Sequence, residues 1–191
     1  MNDEDDIVAA LSPVVQAFHS LGVRYYIGGS VASSFHGATR STLDVDVIAE
    51  LSDEVVASFL DLLGDQYYAS ESAIQDAVRQ TACFNLIHYP TSFKIDVFVS
   101  RNRPFDRDSM SRAVIGKIGS HTPTEILLAS PEDNIISKLE WYKLANETSE
   151  RQWLDVSKVL MLLGDQADVG YLRKAAQSVG VVDLLERLLG T

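Results

Sequence analysis

Apolar residues recur at Ile7, Leu11, Val14, Val15, Phe18 and Leu21, a spacing that fits one face of a helix over about residues 5–21. Pro13, after Ser12, reads either as a helix start or as a kink, and Gly22 ends the run. Residues 24–27 form a short β run, and Gly28-Gly29 reads as a sharp turn. Residues 30–36 fit a short helix capped by Ser30. Over residues 43–49 polar and apolar positions alternate, the period of a strand with one buried face. Residues 52–63 return to a helical period, with Ser52 as N-cap and acids in the first turn. The β-rich runs 82–88 and 93–99, separated by Tyr-Pro-Thr-Ser, predict an antiparallel pair, and 126–128 predicts one more short strand.

Beyond residue 129 the pattern becomes purely helical. "SPEDNIISKLEWYKLA" opens with Ser130 as N-cap, Pro131 at the first helical position and two acids in the first turn. "SERQWLDVSKVLMLLG" opens with Ser149 and Gln152 at capping-box spacing. Two further helical runs follow, at about 169–178 and 181–189. The pattern predicts an α/β (α+β) core over residues 1–129 and a C-terminal helical region over 130–191 packed on it.

Composition narrows the function classes. Of 191 residues, 46% are hydrophobic and 23% charged, an ordinary globular balance. No apolar run approaches membrane-spanning length, so no membrane partner is expected. The start "MNDEDDIVAAL" is acidic, unlike a signal or transit peptide, and the single cysteine, Cys83, excludes an internal disulfide and a cysteine-rich zinc site. These features point to a reducing cytoplasm. The net charge of -11 does not suit a protein that grips nucleic acid through its phosphates over a broad basic surface. It suits a small substrate, or a site where metal ions and a few local cations carry the phosphate charge.

The acids that alternate with apolar residues carry the chemistry. Asp44 and Asp46 stand two apart on one predicted strand and so share a face. Asp96 lies in "FKIDVFVS", flanked by Ile95 and Val97 as Asp46 is by Val45 and Val47. If those strands are neighbours, three carboxylates converge, and like charges that close need a compensating cation. Mg²⁺ takes carboxylates together with substrate phosphates, and two ions roughly 3.5–4 Å apart can clamp an in-line phosphoryl displacement. The glycine turn lets backbone approach a ligand closely, and the Ser30 hydroxyl offers a donor. The competing reading is a solvated strand-end acid pair and a plain tight turn; the conjunction of G-G-S, D-V-D and a distant I-D-V favours the site.

"IGGSVASSFHGATRSTLDVDVIAE" followed by "KIDVFVS" resembles the nucleotidyltransferase superfamily of the polymerase-β-like kind, in order and type: apolar strand, G-[GS], short helix, D-x-[DE], and a third acid on a later strand. The R-x-T-x-D-x-D spacing of Arg40, Thr42, Asp44 and Asp46 is similar to minimal bacterial members related to AbiEii and MenT toxins, and "SPEDNIISKLEWYKLANETSERQWLDVSKVL" resembles their C-terminal helices. The resemblance implies a nucleotidyltransferase-type mixed sheet flanked by helices, and transfer of an NMP from an NTP to an acceptor hydroxyl. It implies Asp44, Asp46 and Asp96 as ligands of Mg²⁺ or Mn²⁺, with Asp96 as third carboxylate near the acceptor. Gly29, Ser30, Arg40 and Thr42 would hold the nucleotide, Arg40 and Lys138 would face the triphosphate, and Asp155 and Arg151 would support the site.

Each helical residue has a plainer alternative. Lys138 can snorkel from a packed face, and Arg151 and Asp155, spaced i, i+4, can form a surface ion pair. Trp141, Tyr142 and Trp153 suit helix packing, the four histidines suit structural roles, and Cys83 suits a buried, inert position. Residues 71–80 suit a solvated helix. The arginine cluster "RNRPFDRDSMSR" suits a solvated loop, or else a local basic groove. The acceptor implied by the resemblance is a tRNA, a partner protein or a small molecule, with an antitoxin partner in the toxin case; the acidic chain favours a cationic small molecule or a protein. A catalytically silent nucleotide- or partner-binding module of the same fold is the second reading, disfavoured by the presence of all three acids.

Overall fold

The computed structural model describes residues 3–38, 44–119 and 123–190. The elements run α1 (Asp3–Leu21), β1 (Tyr25–Ile27), α2 (Gly29–Phe35), β2 (Asp44–Ala49), α3 (Val56–Leu63), β3 (Tyr67–Tyr68), α4 (Glu71–Gln80), β4 (Cys83–His88), β5 (Phe93–Val99), α5 (Pro104–Arg112), β6 (Val114–Ile118), β7 (Thr124–Leu128), α6 (Pro131–Leu144), α7 (Glu150–Leu163), α8 (Val169–Val179) and α9 (Val182–Leu189). Seven strands form one mixed sheet in the order β3-β4-β5-β2-β1-β7-β6. The β2–β5 and β1–β7 pairs are parallel and the rest antiparallel.

Alternation decides which way the central strands face. Val45 and Val47 of β2 and Ile95 and Val97 of β5 are fully buried, together with Leu86 of β4. They pack with Leu11, Val14 and Phe18 of α1 and Phe59 of α3, and the Phe18 and Phe59 rings stack 5.0 Å apart. Each such side chain contributes about 1.5–3 kcal/mol on burial, so a one-residue slip of β2 would forfeit two of them and bury its acids. The register is thereby fixed, and with it the opposite face. A second apolar cluster joins Ile135, Ile136 and Leu139 of α6 to Val156 and Val159 of α7, Leu172 of α8 and Leu185 of α9.

Several boundaries differ from the sequence expectation. Ser30 lies inside α2, whose cap position is Gly28, with no side-chain cap. Ser52 makes no side-chain cap either; a 3-10 turn, Asp53–Val55, leads into α3. Ser130 and Ser149 do cap, accepting from the N–H groups of Asp133 and Gln152. Pro13 is inside α1, which runs through it. β3 and β6 carry too few alternating positions to stand out in the sequence. The arginine cluster is not a loop: Pro104 starts helix α5, and Arg103 and Asp106 form its capping box. Among the described residues no helix is long and apolar enough to cross a membrane.

Candidate active site on the open face of the sheet

The parallel register sets Asp44 opposite Lys94 and Asp46 opposite Asp96. The antiparallel register of the next pair sets Asn85 opposite Asp96, and Cys83 opposite Phe98. Positions two apart share a face, so the side turned away from the α1–α3 core carries cross-strand rows Asp44–Lys94 and Asp46–Asp96–Asn85. The three carboxylates thus stand on one side of the sheet. Lys94 Nζ lies 2.9 Å from Asp96 Oδ2. The Asn85 amide donates to Asp96 Oδ1 from the other flank.

The glycine turn is built against Asp46. Gly28 N–H donates to the Asp46 carbonyl at 2.9 Å, tying the turn to β2. Gly29 has φ +58°, and a Cβ placed on it would fall 1.8 Å from Asp46 Oδ2. Only glycine suits both the dihedral and the contact. The turn is also held from the helical side: Ser33 Oγ donates to the Gly29 carbonyl at 3.1 Å, and the buried Asn134 carboxamide of α6 lies 2.9 Å from Ser33 Oγ.

Facing this wall, across a cavity of about 510 Å³, are α6 and α7. Lys138 Nζ lies 3.0 Å from Asp155 Oδ2, with both residues buried. Trp141 meets Phe98 edge-on, ring centres 5.7 Å apart, where the helix crosses the sheet. Arg103 binds Glu140 at 2.6 Å and Asp106 at 2.9 Å. Arg112 binds Glu132 at 3.2 Å and Asp133 at 3.4 Å, and Arg107 donates to the Asn102 carbonyl at 2.5 Å. The arginine cluster is therefore consumed largely in internal pairing, not laid out as a basic groove.

Burial pushes the Asp46 carboxyl up to about 6, and the anionic Asp44 and Asp96 push the same way against the weaker pull of Lys138 and Lys94. The hydrogen bond to Asp96 raises the Lys94 ammonium and keeps it charged. Cys83 is exposed on the cavity wall, not buried; desolvation first, then Asp96 and Asp46, push its thiol up to about 11, so it stays protonated.

The donor set suits a hard cation in part. Asp44 and Asp46 offer carboxylate oxygens on one face of the cavity lining, and the elevated Asp46 marks a place short of positive charge. Among the described residues, however, no three His, Cys, Asp or Glu side chains are gathered to hold a metal ion.

Gly29, Ser30, Asp44, Asp46, Lys138, Arg151 and Asp155 all line the cavity, whereas Asp96 stands on the same face outside the lining. Arg40 and Thr42 lie outside the described residues. Asp155 is buried against Lys138 and is no surface residue. Sequence reading missed Lys94, Asn85, Asn134 and Glu140. Lys94 and Asn85 occupy outward positions in alternating runs, a signal that becomes informative only once the β4–β5–β2 register is known.

No protein-family model matches the chain, and no curated protein matches it by sequence. Solved structures do. The antibiotic-resistance factor ANT(2'')-Ia, solved in solution, superposes with a TM-score of 0.56 at 15% identity, over 90% of this chain and 91% of that one. An antigenic nucleotidyltransferase-like protein from Paracoccidioides brasiliensis superposes with a TM-score of 0.54 at 18% identity, over 97% of this chain and 93% of that one. The mixed seven-stranded sheet flanked by helices is the fold of these nucleotidyltransferase-like structures.

Proposed function

We propose that the chain is a metal-dependent nucleotidyltransferase that moves an NMP from an NTP to an acceptor hydroxyl. One observation carries the reading: Asp46, with its elevated carboxyl, sits against the Gly29 turn on one wall of a cavity whose other wall presents the buried Lys138–Asp155 pair. Asp44 and Asp46 would hold Mg²⁺ or Mn²⁺, which when bound neutralises triphosphate charge. Gly29 and Ser30 would position phosphates from the turn. Lys138, oriented by Asp155, would place positive charge toward the charge that develops as the acceptor oxygen bonds to the α-phosphorus and the bond to pyrophosphate breaks. Asp96 stands beside this centre on the same face of the sheet.

The acceptor we favour is a small cationic molecule or a protein. The acidic chain supports this, as does the commitment of Arg103 to Glu140 and of Arg112 to Glu132. Kinship with the AbiEii and MenT toxins, and with it an antitoxin partner, rests on the sequence motifs alone.

The test is incubation with labelled NTPs, divalent ion and candidate acceptors, following label transfer and pyrophosphate release. The wild-type chain is expected to transfer label, and Asp46→Asn to abolish transfer while folding normally. Undiminished transfer by D46N would refute the assignment. Metal-dependent nucleotide binding without turnover would favour the silent binding module instead.

A further inference from the structure

Asp96 is held where a third metal ligand is expected, yet its carboxylate is engaged from both flanks. Lys94 Nζ lies 2.9 Å from Oδ2 and the Asn85 amide donates to Oδ1. Both donors come from residues that the strand register places on the same face: Asn85 directly opposite Asp96, and Lys94 two positions before it, opposite Asp44. A lysine at that point is an unusual choice if a second divalent ion must enter, because two cations would then compete for one carboxylate. Asp96 is also absent from the cavity lining that includes Asp44 and Asp46, and no three acids among the described residues gather around one point.

Building on the reading of Asp44 and Asp46 as metal ligands, we infer that the Lys94 ammonium is the resident second cation of this site: with Asn85 it fixes Asp96 as a structural anion, so that Asp44 and Asp46 alone take a divalent ion, one per chain. Charge balance agrees. Before nucleotide binds, three carboxylates and one ammonium leave a formal charge of about minus two, which one divalent ion neutralises. The Lys138 charge is already matched by Asp155. Removal of the Lys94 charge would release Asp96 and leave an uncompensated carboxylate beside the bound triphosphate, a place for a second ion.

The experiment counts ions. Mn²⁺ bound per chain is measured by electron paramagnetic resonance and by calorimetry, in the full chain with a non-hydrolysable analogue of each NTP. One Mn²⁺ is expected for the wild type, two for Lys94→Met, and one again for Lys94→Arg; circular dichroism checks that each variant is folded. Two ions in the wild type, or one in K94M, would overturn the inference while leaving nucleotidyl transfer standing. No Mn²⁺ bound by any of the three would overturn both.

Discussion

The Lys138 ammonium and the Asp155 carboxylate face each other at 3.0 Å between α6 and α7, and both residues are buried. A lysine that merely snorkels keeps its ammonium in water; this one does not. Breaking such a pair from one side leaves an uncompensated buried charge, which costs about 3–5 kcal/mol. Asp155→Asn is therefore expected to lower unfolding stability in urea by that order and to abolish transfer. The double variant Lys138→Met/Asp155→Leu removes both charges; it should regain most of the stability and none of the activity. A double variant as unstable as D155N would show that the pair matters through packing and not through charge.

Gly29 is the second position where geometry allows one residue. Alanine there must adopt φ +58°, at a cost of about 1–2 kcal/mol, and must also displace the Asp46 carboxylate that its Cβ would overlap. Gly29→Ala is expected to melt only modestly earlier but to lose transfer by about a hundredfold or more, since a misplacement of about 1 Å at the reacting centre is enough for that. Thermal unfolding together with kcat/KM separates the two effects. A large stability loss with unchanged kcat/KM per folded molecule would contradict the role given to the turn.

The elevated Asp46 carboxyl makes a signed prediction. Its folded-state pKa, about 6, lies above the usual aspartate value of 3.8, so the folded protein resists losing this proton. Well below pH 3.8 the group is protonated both folded and unfolded and carries no penalty. Between about pH 4 and 6 the unfolded chain ionises first, and stability falls as pH rises through that window. Asp46→Asn should therefore stabilise the chain at pH 7 by about 1–3 kcal/mol and leave it unchanged at about pH 2.5. Urea unfolding across pH, without divalent ions, measures this; equal stabilisation at both ends would assign the effect to something other than ionisation.

What was readable in the sequence follows from range. Short-range periodicity placed the long helices and the β2, β4 and β5 runs, and the Ser130 and Ser149 caps, because each is decided within a few residues. The Asp44–Asp46 pair was legible for the same reason. That Asp96 would fall directly opposite Asp46 could be posed only as a condition, since it depends on how strands roughly fifty residues apart align. Arg103 illustrates the opposite failure: read locally it is one member of a basic cluster, but its partner Glu140 arrives from a helix that the sequence places far downstream. Cys83 looked like a core residue because its run is β-rich; its outward position is set by the register against Phe98.

The cavity lies along a seam between two oily interiors, one around the sheet and one among α6 to α9 that also takes in Phe105 of α5 and Ala38. What spans the seam is charged and polar as well as aromatic: Arg103 to Glu140, Arg112 to Glu132, Asn134 to Ser33, and Trp141 to Phe98. The gap between the walls is therefore set in part by ionic contacts, which dissolved salt weakens, and in part by packed carbon, which it leaves in place.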